Sequence, residues 1–349
     1  MFYNPAMALD RDIGVAVLTA WREQGHPPVR AWELLAATGV RGLRLLNETR
    51  SLASLDFTEA HPPAYAVLEN NTARWAGREA RAYLRDAHQG GPRAPYDFVD
   101  LDPYGSPLPF VPPALAALSA GGLLAVTATD LMVLAGAQPD ACVRKYAARP
   151  VRGWLGPEGG LRILLAALAR LAGACGLTMT VRLAYVLGHH LRVYAELRPA
   201  QAPPELPIGT LPAAADDGPP LGGTPPFGPM WLGPLFDPAL VHRLAVPPSA
   251  HDPAGAARLI ERWRGEAAVP VPFAYEPNRV AEAAGLPSPP RLEALLGELR
   301  SRGFLAARSH LTASAFRTTA SRSEVMDSAR AIAGASPGSA GPRAPPPEG

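Results

Sequence analysis

The sequence predicts an α/β fold: an open, mostly parallel, Rossmann-like sheet with helices on both faces, followed by a smaller α+β unit of winged-helix-like type. Three observations predict it. Short apolar runs alternate with helical spacings from about residue 29 to 198. Residues 199–229 lose all periodicity and become dense in Pro and Gly. From 238 to 322 the spacing reads as three helices and a β-hairpin. The chain has 349 residues, 48% of them hydrophobic, which is long enough for two cores. The expected division is a large domain over 1–198, a linker region over 199–237, a second domain over 238–322 and a disordered tail over 331–349.

Taken in order, 29–36 is an apolar run that ends at Thr38-Gly39, and 54–57 is a short strand ending in acid. Residues 62–75 have helical spacing. The run 96–101 delivers Asp102-Pro103. A helix over 111–119 is broken by Gly121-Gly122, and 123–129 is the next strand. Residues 159–173 form a long apolar helix. The stretches 177–186 and 190–197, joined at Gly188, read as an antiparallel hairpin on one sheet edge. In the second unit, helices are expected over 256–263, 278–284 and 288–302, with Arg258, Arg262 and Arg264 exposed on the first. A hairpin over 304–317 follows.

Composition excludes several classes. A net charge of +2 gives no general field for a polyanion, so a nucleic-acid partner requires a local patch. Lys145 is the sole lysine, and this Arg bias fits either phosphate recognition or a GC-rich genome. Two cysteines, Cys142 and Cys175, argue against a disulfide framework and a Cys-rich zinc site, and suit a reducing cytoplasm. The start, Phe2-Tyr3-Asn4-Pro5, has no signal-peptide pattern, and no stretch reads as a membrane span.

In an open parallel sheet, ligands bind beyond the carboxyl ends of the strands, where the strand order reverses. Three features at expected strand ends fit one nucleoside-type ligand. Ala36-Ala37-Thr38-Gly39-Val40-Arg41-Gly42 is a loop of small residues that lets the backbone approach closely. It is neither G-x-G-x-x-G nor a phosphate loop with its Lys. Asp56 is placed to accept ribose hydroxyls, or else to cap a helix. Glu79, with the amide of Ala80, is placed to read an adenine edge, or else is a solvated charge. Together they favour S-adenosylmethionine over a dinucleotide.

Asp100-Leu101-Asp102-Pro103-Tyr104-Gly105-Ser106-Pro107 is the most informative stretch. An exocyclic amine is a poor nucleophile, because its lone pair is delocalised into the base. A carboxylate that accepts its N–H aligns that lone pair and stabilises the developing positive charge. Asp102 and the carbonyl of Pro103 suit this task, and Tyr104 suits stacking on the base. The competing reading is an ordinary turn. Phe2 either packs on the core or covers a base, and Arg11 either pairs with a methionine carboxylate or bridges to Asp10 or Asp12.

These motifs resemble those of the tRNA guanine-26 N2-dimethyltransferases. The likeness runs from residue 2 to about 320, through Phe2-Tyr3-Asn4-Pro5, the 37–42 loop, the 100–107 stretch, Arg144-Lys145-Tyr146, the 158–164 and 228–235 stretches, Ser309-His310 and Arg317-Thr318. It implies a class I methyltransferase sheet, S-adenosylmethionine as donor and tRNA as partner. It implies Arg11, Arg41, Asp56, Glu79 and Ala80 as cofactor contacts, Asp102 and Pro103 at the amine, and Phe2 and Tyr104 on the two faces of the base. It implies that the second domain grips tRNA. The chain departs from the family in beginning almost at Phe2-Tyr3, in Asp10 for Asn, in Glu79 for Asp and in Tyr104 for Phe. It also has no Cys-x-x-Cys before 228–235, so no zinc or other metal is expected. No obligate protein partner is evident. The alternatives are another RNA or DNA exocyclic-amine methyltransferase, a nicotinamide oxidoreductase and a non-catalytic RNA-binding protein.

Overall fold

The computed structural model describes residues 3–26, 28–75, 79–203, 205–211 and 226–335. Five parallel strands come first: β1 (Val29–Glu33), β2 (Leu52–Glu59), β3 (Ala80–Leu84), β4 (Tyr96–Leu101) and β5 (Leu118–Ala128). The expected hairpin follows as β6 (Leu177–Leu187) and β7 (His190–Pro199). The order across the sheet is β3-β2-β1-β4-β5-β7-β6. Neighbours are parallel from β3 to β5, and β7 runs antiparallel to both β5 and β6. Strand order reverses between β1 and β4, where Glu33 is in register with Asp100. A ligand site is expected beyond that pair.

The helices that line this sheet begin with α1 (Ala8–Arg22), a segment to which the sequence pattern assigned no element. It buries Ile13, Val17 and Trp21, and also the charged run Asp10, Arg11 and Asp12. Next come α2 (Val40–Glu48), α3 (Pro62–Trp75), α4 (Val111–Ala117), α5 (Leu131–Leu134), α6 (Pro139–Tyr146) and α7 (Gly156–Ala174). Gly42 lets α2 sit close to the sheet: a Cβ there would lie 2.4 Å from Glu33 Oε2 and 2.6 Å from the Phe57 ring.

Within the expected linker, β8 (Ile208–Leu211) and β9 (Phe227–Trp231) pair antiparallel, while 212–225 lie outside the described residues. The helices α8 (Pro238–Arg243) and α9 (Pro253–Ala267) pack on the large core through Leu240, Val241, Ile260 and Trp263. Trp263 lies 4.8 Å from Tyr185 of β6. A second core gathers Tyr275, Val280, Leu295, Leu299, Phe316 and Val325. It is built from α10 (Pro277–Ala284), α11 (Leu292–Ser301), the hairpin β10 (Ala306–Arg308) and β11 (Phe316–Thr318), and α12 (Arg322–Ala335). By packing, therefore, the cores divide near 270 rather than at 238. Helix α12 also carries order through 331–335, where the tail was expected to begin; 336–349 lie outside the described residues. Arg258 and Arg264 are exposed as expected, with Arg264 also donating to the Leu244 carbonyl, while Arg262 is half-buried and donates to the carbonyls of Ser309 and Thr312. No helix among the described residues is long and apolar enough to cross a membrane.

Candidate active site

Strand β4 ends in the turn Asp102-Pro103-Tyr104-Gly105. Gly105 adopts φ +77°, which only glycine takes without strain. Its N–H donates to Thr129 Oγ1 at 2.7 Å, and its carbonyl accepts from the Thr129 N–H at 3.0 Å. The Tyr146 hydroxyl donates to Asp130 Oδ1 at 2.9 Å and lies 2.8 Å from Ser106 Oγ. The turn is thus fixed to the end of β5 rather than left as a mobile corner.

Behind it lies a buried ionic cluster. Arg41 Nη2 donates to Asp102 Oδ2 at 2.7 Å, and Arg41 Nη1 to Asp10 Oδ2 at 2.7 Å. Asp10 also accepts from the Tyr185 hydroxyl at 2.7 Å and meets His190 Nε2 at 3.1 Å. Arg192 forks onto both oxygens of Asp100, at 3.0 and 2.6 Å. Burial acts to raise the Asp102 pKa, but Arg41 and Arg192 outweigh it and hold the carboxyl below its ordinary range. Among the described residues only Asp102 Oδ2 is hydrogen-bonded. Glu33, whose Oε2 accepts from the Gly42 N–H, behaves oppositely: burial first, then Asp100, push it up to about 8.

Asp102 opens onto a cavity of about 640 Å³, lined also by Arg11, Glu33, Ala37, Glu59, Tyr104 and Phe110. That volume is in the range of roughly 300–1,000 Å³ typical of cofactor sites. Arg11 is 6% exposed and bonds only to uncharged groups among the described residues, namely the Asn4 carbonyl and the Tyr3 hydroxyl. Its neighbours account for this. Arg41 takes Asp10, and Arg44 takes Asp12, so neither acid bridges to Arg11. Burial pulls its pKa down. A buried guanidinium on a cavity wall, lacking a counter-charge, fits a carboxylate-bearing ligand.

Three expected contacts are corrected by the geometry. Asp56 does not end β2, which runs on to Glu59. Asp56 is fully buried, bonded to Arg93 Nε at 2.8 Å and to the Tyr96 hydroxyl at 2.7 Å. The acid at the strand end is Glu59, on the cavity wall, where Oε2 accepts from the Ala37 N–H at 2.9 Å. Glu79 and Ala80 lie at the start of β3, the opposite end from the cavity. At the correct end, Asp86 caps the turn Ala87–Gln89, and the His88 ring packs 4.6 Å from Phe110 of the cavity wall. Arg41 lines the cavity as expected, but both its terminal nitrogens are committed to Asp10 and Asp102. Tyr104 is 72% exposed at the rim. Phe2 lies outside the described residues; among the described residues Tyr3 lines the cavity, with the Arg11 guanidinium 5.0 Å over its ring. Residues missed at first left one signal: charges inside apolar elements, as Asp10 in α1 and Arg192 in β7, require buried partners.

This strand order, with a cofactor-sized cavity at its carboxyl edge, defines a class I methyltransferase. The model of the N2,N2-dimethylguanosine tRNA methyltransferase family matches residues 1–204 and 223–330. A tRNA (guanine(26)-N(2))-dimethyltransferase of Thermococcus kodakarensis is 33% identical over 348 residues, covering 92% of this chain and 90% of that protein. That of Methanosarcina acetivorans is 30% identical, covering 96% and 92%. Among solved structures, the complex of Trm1 from Pyrococcus horikoshii with S-adenosyl-L-methionine matches with a TM-score of 0.82 at 29% identity, over 94% of each chain. The chain belongs to the N2,N2-dimethylguanosine tRNA methyltransferase family.

Proposed function

We propose that the protein transfers methyl groups from S-adenosylmethionine to the exocyclic N2 of guanine 26 in tRNA. The reading rests chiefly on Asp102, a carboxylate kept ionised by Arg41, with one oxygen tied down and the other without a hydrogen-bond partner among the described residues, on the wall of a cofactor-sized cavity. S-adenosylmethionine, when bound, supplies an electrophilic methyl on a sulfonium. Arg11 would receive the methionine carboxylate, and Glu59 the ribose hydroxyls. Asp86 and the Ala87 amide would read the adenine edge, replacing Glu79 and Ala80 in that role. Arg41 would act through Asp102 rather than on the cofactor.

Asp102 and the Pro103 carbonyl would accept the N–H bonds of the amine and turn its lone pair toward the methyl. A carboxyl held below its ordinary pKa is a weak base. Asp102 therefore works as a fixed anion that stabilises charge as it develops on nitrogen. Exposure at the rim supports a stacking role for Tyr104, with Phe2 or Tyr3 on the other face. The unit around the second core would grip tRNA. Two free cysteines and a tRNA substrate support a cytoplasmic location. Incubation with labelled S-adenosylmethionine and unmodified tRNA, followed by nucleoside analysis, tests the function. N2-methylated guanosine at position 26 is expected, and its absence would refute the reading.

A further inference from the structure

The arginines of the second unit are largely engaged within the protein. Arg262, Arg264 and Arg300 donate to backbone carbonyls. Arg302, Arg308 and Arg330 pair with acids. The stretch 131–154, between β5 and α7, is different. It holds four cations, Arg144, Lys145, Arg149 and Arg152, against one acid, Asp140, for a local charge of +3 where the whole chain carries +2. All four cations are exposed. Arg144, Arg149 and Arg152 have no ion pair among the described residues, and Lys145 has only a loose contact to Asp130 at 3.7 Å.

This stretch is held rigidly beside the chemistry. Cys142, Tyr146, Ala148, Pro150 and Val151 are buried, and this pattern turns Arg144, Arg149 and Arg152 outward. Tyr146 bonds to Ser106 and Asp130 at the catalytic turn. Arg170 fixes the Tyr146 carbonyl at 2.7 Å, and Arg149 exchanges both backbone bonds with Gly228. Met132 and Val143 are exposed on the same stretch. Guanidiniums without an ion pair among the described residues, on a braced segment that also exposes Met132 and Val143 and is bonded to Ser106 two residues after Tyr104, suit an RNA strand whose phosphates alternate with sugars and bases.

We infer that the surface formed by 131–154 takes the phosphodiester backbone of the RNA flanking the methylated nucleotide, with Arg144, Arg149 and Arg152 as its phosphate contacts. This rests on the function proposed above. The test is a triple variant, R144Q/R149Q/R152Q, compared with a control, R50Q/R81Q, at exposed positions near the amino ends of β2 and β3. Binding of an unmodified tRNA transcript is measured over a series of salt concentrations, with S-adenosylmethionine affinity measured separately. The triple variant should bind tRNA at least about tenfold more weakly. Its log–log salt slope should fall by about two to three, since each phosphate contact contributes roughly 0.7–0.9. Cofactor affinity should match the unaltered protein, and the control should bind tRNA normally. Unchanged tRNA affinity and slope in the triple variant would overturn the inference alone, because the unaltered protein would still methylate tRNA. Equal losses in the control would overturn it as well, by showing a diffuse charge effect. Failure of the unaltered protein to bind or methylate tRNA would instead remove both the function and the inference.

Discussion

Asp102 and Glu158 are both carboxylates gripped by arginine, but Glu158 is fully buried and filled while Asp102 is half-buried and open on one side. At the junction between the two cores, Glu158 Oε1 accepts from Arg162, Arg317 and the Phe273 N–H, and Oε2 accepts from the Ala274 N–H. Glu266 is filled in the same way by Ser309, Arg317 and His310. The space beside that cluster is only about 10 Å³, too little for a ligand. The Asp102 cluster has equally short bonds, yet it borders about 640 Å³ and leaves one Asp102 oxygen without a bond among the described residues. Buried charge by itself therefore does not mark a site. A fixed charge with an unfilled acceptor on the wall of an open volume does.

Breaking one member of each cluster separates the two roles. Arg317→Ala removes the cation that Glu158 and Glu266 share, leaving both short of counter-charge in a closed interior. Unfolding by urea should show a loss of about 3–5 kcal/mol. A loss below about 1 kcal/mol would mean that the junction relaxes or admits water. Asp102→Asn should do the reverse. Methyl transfer should fall by about 10²–10³-fold, as when a preorganised charge-stabilising group is removed, while S-adenosylmethionine affinity and stability change little. A parallel collapse of cofactor binding would make Asp102 a structural residue like Glu158.

The sequence disclosed the two regions unequally. Tyr96–Leu101 and Pro62–Trp75 were legible to the residue because their apolar spacing is regular and their limits are marked by Pro and Asp. The Asp102-Pro103-Tyr104-Gly105 turn followed from β4. Helix α1 was not legible, because Asp10, Arg11 and Asp12 are consecutive charges that spacing assigns to solvent. Their burial depends on Arg41, Arg44 and residues about 180 positions away, such as His190. Asp56 was placed at a strand end for a similar reason: its partner Arg93 lies 37 positions on, and β2 runs past the expected 54–57 to Glu59. The junction cluster was visible only as three separate motif fragments, 158–164, Ser309-His310 and Arg317-Thr318, since ion pairs across 159 positions leave no local pattern.

Glu33 sharpens the comparison through pH. It lines the same cavity as Asp102, but its carboxyl is raised to about 8 rather than lowered. The folded protein therefore binds a proton that the unfolded chain releases near 4.5. Stability from this group is fully present below about 4.5 and declines as pH rises toward about 8, by at most about 1.4 kcal/mol per pH unit. Glu33→Gln keeps an acceptor for the Gly42 N–H and removes the titration. Its stability relative to the unaltered protein should rise between pH 5 and pH 8. A difference that stays constant over that interval would show Glu33 to be ionised. Glu266 has the opposite sign. Held down to about 2, its contribution is complete above about pH 4.5 and disappears only as the pH falls toward 2.

The smallest expected effect concerns the exposed rim of the Asp102 cavity. Tyr104 has 72% of its surface in solvent and stands at the cavity rim. Burial first, then the Asp102 charge, raises its pKa, so its hydroxyl is neutral at any working pH and supplies no charge to the reaction. If its contribution is its π-face, Tyr104→Phe should change kcat/KM by less than about threefold. Tyr104→Ala should cost about 1–3 kcal/mol, or roughly 5–150-fold, the value of one base stack. A Phe variant as impaired as the Ala variant would assign the hydroxyl a bond to the nucleotide. The rim would then read the base by hydrogen bonding, as the closed junction satisfies its own side chains, rather than by stacking.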